Sequence, residues 1–379
     1  MRRAVTGGIL ASLLVLLGGA HAGLAQEPGY APLDQPGPAL RVPLAELEAS
    51  LTCDGALDGS RAAVLLIHGT NLDYETNFGW NYQRQFAALG WPHCGVDLPK
   101  KGMDDIQVAA EHVVHAVRTV AARTGRPVQI VGFSQGGMIG RWALRFWPDT
   151  RDLVEEVVGL APSNHGTLTA IPTCNPSCVP AYQQQRADSR FVAALNSRAL
   201  TFGGVDYSVI YTRTDWVVTP NHDGSASSLP AGPNAVNVAI QDICPGDSSE
   251  HLHLGSFDAV GYALVHDALT HDGPVDPARI APTVCAEPYM PGVDPATFAG
   301  DYAAYLRQVG EAYQETEAVT EEPPLACYVT ASCAEPAGQP PTGAEAPPAA
   351  PALPATGGGG LAGAALLAAA AASVRRLRR

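Results

Sequence analysis

The stretch Pro127-Val128-Gln129-Ile130-Val131-Gly132-Phe133-Ser134-Gln135-Gly136-Gly137 constrains this chain more than any other. A short β-branched run leads straight into Gly-x-Ser-x-Gly. A helical pattern follows at once, with Met138, Trp142 and Phe146 at i, i+4 and i+8. A strand that becomes a helix across one serine must turn sharply, and Gly132 and Gly136 leave room for the backbone to fold beneath it. The five-residue pattern alone is common by chance; the flanking strand and helix give it meaning. The expectation is a nucleophile elbow with the Ser134 hydroxyl at its tip.

Five other runs read as strands, at 62–67, 92–96, 154–160, 207–211 and 236–240. The first is continuously apolar and bounded by turn residues, as a strand buried on both faces should be. Between 104 and 124 a long helical pattern places Ala110, Val113, Val114, Val117 and Ala121 on one face, and Gly125 stops it. A further helix is expected from Asp294 to about Val319, with Phe298, Tyr302, Tyr305 and Leu306 on one stripe. Residues 26–60 read as Pro-rich and irregular apart from a short helical pattern at 43–51. Six strands separated by helices or loops imply an α/β chain with a mostly parallel central sheet covered on both faces.

Both termini carry address signals. Arg2 and Arg3, the apolar run from Ile9 to Leu17 and the small residues around Ala20-His21-Ala22 read as a secretory signal ending by residue 25. Export suits the eight cysteines, an even number fit for disulfides in an oxidising compartment. At the other end, Leu353-Pro354-Ala355-Thr356-Gly357 precedes an apolar stretch from Leu361 to Val374 and the basic Arg375-Arg376-Leu377-Arg378-Arg379. This order resembles the LPxTG cell-wall sorting signal, whose sortase-type transpeptidase cuts between Thr356 and Gly357. The alternative is a C-terminal membrane anchor, for which an apolar run well short of the roughly 20 residues that span a bilayer is a poor fit. The expected division is therefore a signal peptide at 1–25, a catalytic domain at 26–320, a Pro/Ala-rich spacer with a small Cys loop at 321–352, and a sorting tail at 353–379. The formal charge is −14; without Arg2, Arg3 and the four tail arginines, 17 basic residues face 37 acidic ones, about −20. Such a surface repels phosphate backbones and excludes nucleic acid as a partner. Nothing in the sequence calls for an obligate partner, and a monomer is expected.

A serine hydroxyl needs a histidine to take its proton and a carboxylate to orient that histidine. After an elbow of this kind the acid and the base follow in that order on later loops. Asp215 directly follows the strand ending at Tyr211, whereas Asp223 sits in an Asn-His-Asp-Gly turn where aspartate usually serves the backbone. His251 and His253, in Glu250-His251-Leu252-His253-Leu254-Gly255-Ser256, are both candidates for the base. His-x-His also suits a metal, but no further ligand types cluster nearby, so no metal is expected. His266 and His271 read as surface residues. The oxyanion formed in acyl transfer needs preorganised donors. These are expected from the backbone N–H of Gln135 and from Thr70, through its backbone and hydroxyl, in the loop His68-Gly69-Thr70. His68 is expected to support that loop.

With these residues placed, the chain resembles lipases of the Candida antarctica lipase B type, which have the α/β-hydrolase fold. The likeness covers roughly residues 51–333. It rests on Leu51-Thr52-Cys53, Ile67-His68-Gly69-Thr70, Ser134-Gln135-Gly136-Gly137, Arg145-Phe146-Trp147-Pro148, Leu160-Ala161-Pro162 with Gly166-Thr167, Thr214-Asp215, and His253-Leu254-Gly255-Ser256. The resemblance implies hydrolysis of triacylglycerol or other carboxylic esters through an acyl-serine, without metal or organic cofactor. It implies Ser134, Asp215 and His253 as the triad, His253 being chosen over His251, and Thr70 and Gln135 at the oxyanion positions. It also implies disulfides Cys53–Cys94, Cys244–Cys285 and Cys327–Cys333. Cys174 and Cys178 have no counterpart there; a local disulfide is expected, with a metal site as the alternative. Phe133 replaces the tryptophan that floors the family's alcohol pocket and should widen it. Ser163 replaces a buried acid. The same scaffold also suits a hydrolase or acyltransferase acting on polyester or wall-lipid esters. An inactive binding protein that keeps the fold is the non-enzymatic alternative.

Overall fold

The computed structural model describes residues 29–312 and 316–332. The expected signal segment, Cys333 and the sorting tail lie outside the described residues. Seven strands form one sheet among those residues: β1 (Leu51–Asp54), β2 (Val64–Ile67), β3 (His93–Val96), β4 (Val128–Phe133), β5 (Val154–Leu160), β6 (Asp206–Tyr211) and β7 (Ala235–Ala239). Their spatial order is β1-β3-β2-β4-β5-β6-β7. All neighbours are parallel except the edge pair β1–β3. Six of the seven strands fall on the runs read from sequence. The edge strand β1 falls in the Pro-rich 26–60 stretch that was expected to be irregular; its four residues alternate between half-buried and exposed. A disulfide fastens it, since Cys53 faces Cys94 in register and the two are bonded.

Side chains alternate across the sheet and build a core on each face. Leu65, Ile67 and Ile130 meet Val113 and Val117 of α1 (Ile106–Thr124) and Met138 and Trp142 of α2 (Gln135–Phe146). Leu66, Val131 and Phe133 turn the other way, toward Leu264 and Val265 of α3 (Ala259–Thr270) and Tyr302 and Tyr305 of α4 (Phe298–Ala312). The carboxylate of Asp105 caps α1 by accepting from the Gln107 N–H, and left-handed Gly125 (φ 66°) ends it. Helix α4 stops short of the expected Val319. That residue instead pairs antiparallel with Cys178.

Residues past the expected boundary at 320 also pack on the fold. Glu322 accepts from the Phe191 N–H (2.7 Å) and pairs with Arg190, while Tyr328 and Val329 are buried. The Tyr328 hydroxyl accepts from the Trp142 indole at 3.1 Å. On the amino side, Arg145 reaches the Ala31 carbonyl (2.6 Å) and the Trp147 indole donates to the Pro38 carbonyl (2.9 Å). Pro-rich composition at both ends disguises segments that pair with each other at Tyr30 and Thr330 and are fastened to the fold by side chains.

At the opposite edge of the strands from Ser134, Glu156 on β5 is 4% exposed and accepts from the Ser208 hydroxyl (2.6 Å). Burial is the main cause that pushes its pKa up, to about 8, with Asp206, Glu155 and Asp267 adding to it. The unfolded chain loses this proton near the ordinary glutamate value, and the folded chain keeps it. Stability is therefore full below about pH 4.5 and falls as pH rises toward 8, by up to about 1.4 kcal/mol per pH unit. Glu156→Gln should remove this loss. The Tm of the variant should exceed that of the parent by a margin that widens from pH 5 to pH 8, as read by calorimetry.

Candidate active site

The turn after β4 defines the site. Ser134 has φ 54° and ψ −118°, a left-handed backbone that a residue with a Cβ adopts only under constraint. Its N–H donates to the Leu160 carbonyl (2.8 Å) and its carbonyl accepts from the Gly137 N–H (3.0 Å), so the backbone is satisfied and the hydroxyl is left for chemistry. Two glycines make the geometry possible. A Cβ on Gly132 would strike the Gly136 backbone, and one on Gly136 would strike the Ile67 carbonyl. The Gln135 N–H opens α2, where no intrahelical acceptor exists and the helix dipole favours negative charge.

Asp215 lies beyond β6 with its side chain wholly buried. One carboxylate oxygen accepts from the backbone N–H groups of Val217 and Val218, both at 2.8 Å. The other lies 2.8 Å from Nδ1 of His251. With the first oxygen saturated, the second is a directed acceptor; it holds the Nδ1 proton of His251 and leaves Nε2 as the basic nitrogen. Two threonine hydroxyls, of Thr212 (2.6 Å) and Thr214 (2.7 Å), donate to the Ser249 carbonyl and tie the acid's loop to the histidine's loop. The ring of Phe133 packs against that of His251, with centroids 4.8 Å apart.

The structure thus brings His251, not the expected His253, to Asp215. The four-residue helix His251–Leu254 explains the difference, because residues two apart on a helix point about 200° away from each other. His253 turns into an aromatic nest, 4.7 Å from Phe257 and 5.7 Å from Tyr302 between ring centroids. Its Nε2 lies 3.4 Å from a Glu250 oxygen, and burial holds its pKa below the usual histidine value. The apolar partner Phe257, four residues on, was the signal that His253 shares a core stripe. Asp223 is an exposed turn residue bonded to the Ser225 N–H (3.0 Å). His266 is half-buried and stacks on Trp91 at 5.4 Å, unlike the surface position expected for it; His271 is exposed.

Thr70, Phe133, Ser134, Gln185, Trp216 and His251 all line one largely apolar cavity. A far larger cavity, about 780 Å³, lies beside α3, but it contains none of Ser134, Asp215 and His251. The smaller cavity is therefore the candidate site. The loop bearing Thr70 is held from beneath. His68, fully buried, places Nδ1 2.8 Å from the Gly69 carbonyl and accepts from the Leu98 N–H at Nε2 (3.0 Å); burial lowers its pKa and keeps it neutral. Asn77 accepts from the Gly69 N–H (3.0 Å) and donates to the Gly255 carbonyl (3.1 Å). It joins the Thr70 loop to the segment that follows His251, a role sequence reading missed because Asn77 sits in a polar, unremarked run. Thr173 lines the cavity wall beside the Cys174–Cys178 disulfide. Cys244–Cys285 is also formed, and Cys327 is disulfide-bonded, with its expected partner Cys333 outside the described residues. Among the described residues no three His, Cys, Asp or Glu side chains are grouped to hold a metal.

The mostly parallel sheet, with a strained serine between strand and helix, is that of the α/β-hydrolase fold. Within that class, the family model described as "Lipase (class 2)" matches residues 62–238. Lipase B of Pseudozyma antarctica is 30% identical over 210 residues, which are 55% of this chain and 61% of that protein's length. The crystal structure of Aspergillus fumigatus lipase B superposes with a TM-score of 0.70 at 26% identity, over 80% of this chain and 77% of that one.

Proposed function

We propose that the chain is an extracellular serine carboxylesterase of the lipase type, acting through an acyl-enzyme at Ser134. The observation that carries the reading is the 2.8 Å contact between His251 and the doubly anchored Asp215, beside the strained Ser134. In the reaction, Nε2 of His251 takes the Ser134 proton as Oγ attacks the ester carbonyl carbon. Asp215 stabilises the imidazolium without taking the proton itself. Negative charge gathers on the carbonyl oxygen and is met by the N–H of Gln135 and by Thr70. Collapse of the tetrahedral intermediate expels the alcohol, which receives its proton from His251. Water, activated by the same histidine, then releases the acid from Ser134. No metal or organic cofactor enters any step. A largely apolar cavity wall, with Phe133 packed on His251, favours an acyl or alkyl chain over a polar substrate.

Secretion and wall attachment are part of the reading. The disulfides support an oxidising compartment, and no helix among the described residues is long and apolar enough to cross a membrane. Leu353-Pro354-Ala355-Thr356-Gly357 would be the site of sortase-type transfer to the wall. Thr356→Ala should then leave the enzyme in the medium or the membrane fraction, as followed by cell fractionation; unchanged wall attachment would refute the tail's role.

Hydrolysis of p-nitrophenyl esters from C2 to C16, and of emulsified triacylglycerol, tests the activity directly. Wild-type enzyme should cleave both, and Ser134→Ala should lose about 10⁴-fold or more in kcat with an unchanged circular dichroism spectrum. Residual activity near wild type would mean a different nucleophile. Activity confined to C2–C4 would redirect the search to short acyl groups on polymers.

A further inference from the structure

The hydroxyl of Thr70 is unusually constrained. Its oxygen accepts from two side-chain amides, Nε2 of Gln135 at 3.1 Å and Nε2 of Gln185 at 3.0 Å. A hydroxyl oxygen has two acceptor positions and one proton. With both acceptor positions filled, the proton must point away from the two amides.

Neither amide can be reversed without conflict. The same Gln135 nitrogen also donates to the Gly102 carbonyl (2.8 Å). The Gln185 nitrogen also donates to the Ala181 carbonyl (3.3 Å), and its oxygen accepts from the Ser163 hydroxyl (3.0 Å). Exchanging nitrogen for oxygen in either group would set two acceptors face to face. Gln185 and Ser163 are both buried, at 6% and 0% exposure, so the relay is shielded from bulk water. Thr70 makes no hydrogen bond as a donor through its hydroxyl among the described residues, and it lines the same cavity as Ser134.

We propose that Gln185, held by Ser163, is a positioning residue that aims the Thr70 hydroxyl proton into the Ser134 cavity. The inference rests on the acyl-serine reading and extends it to a residue outside the triad and oxyanion loop. A free hydroxyl rotor would spread its proton over several directions and would have to reorganise as charge develops. A donor already aimed does not, which is the basis of electrostatic preorganisation. The position where a buried acid was expected from the family is Ser163 here, and a serine suffices for the relay because it needs only to donate to the Gln185 oxygen.

The test is a double-mutant cycle on the full-length enzyme, read as kcat for p-nitrophenyl butyrate. Thr70→Val should lower kcat about 100-fold, the scale of one lost oxyanion donor. Gln185→Glu should cost about 10-fold or more, because an ionised carboxylate accepts the Thr70 proton and turns it away from the cavity. In the Thr70→Val background the Gln185→Glu change should cost no more than about twofold, since the hydroxyl through which it acts is gone. The ratio of Gln185→Glu to wild-type kcat should also fall as pH rises, because a protonated Glu donates as the amide does. Should Gln185→Glu fail to fold, Gln185→Met serves the same cycle with the same expected absence of further loss. Multiplicative losses, or a ratio flat in pH, would overturn the positioning role. Retained activity in Ser134→Ala would instead overturn the acyl-serine reading itself, so the two failures are distinguishable.

Discussion

The site depends on one strained residue. Ser134 holds a left-handed backbone that nothing in its own chemistry favours, and the fold imposes it by closing β4 onto α2 over Gly132 and Gly136. That single turn aims the hydroxyl and places the Gln135 N–H at a helix start. It also brings the backbone of α2 against the end of β2, from which the Thr70 loop departs. A larger residue at either glycine would push on main chain, which cannot yield as a flexible side chain can. On the proposed reading, the nucleophile and half of the oxyanion site are consequences of sheet and helix packing.

The other half of the site is assembled by hydrogen bonds between loops. Asp215 is fixed by its own following backbone, His251 by Asp215, and the two loops by threonine hydroxyls on the Ser249 carbonyl. Asn77 bridges the Thr70 loop to the segment after His251, and His68 stays neutral so that one nitrogen can accept from Leu98. Asp215, His251, Asn77 and His68 are buried, so loss of one partner strands another. Loops with little regular structure hold a fixed geometry in this way because side chains of one loop bond the backbone of another.

Much of this was legible in sequence, and the exceptions share a cause. Apolar periodicity located six strands, the long α1 and the elbow, since those elements are defined by what they bury. Position after a strand end distinguished Asp215 from Asp223. The structure sets His251 rather than His253 against Asp215: matching His-Leu-Gly-Ser aligns letters, while the helix His251–Leu254 decides direction. The edge strand β1 and the segment 321–330 escaped notice for a related reason: a disulfide, an indole and a glutamate hold them in place, and none of these leaves a periodic trace. Gln185 is the extreme case. Its partners Ser163 and Thr70 lie 22 and 115 residues away, and only the fold brings the three together.

The central claim is that Ser134, His251 and Asp215 act as a unit. The most direct measurement is the rate and position of modification by an alkyl phosphonate ester, read by intact and peptide mass in wild type, His251→Phe and His253→Phe. The account predicts a single adduct on Ser134, formed by His253→Phe within about tenfold of the wild-type rate and by His251→Phe at least about 10³-fold more slowly. The reverse order of the two variants, or an adduct on any other residue, would contradict it.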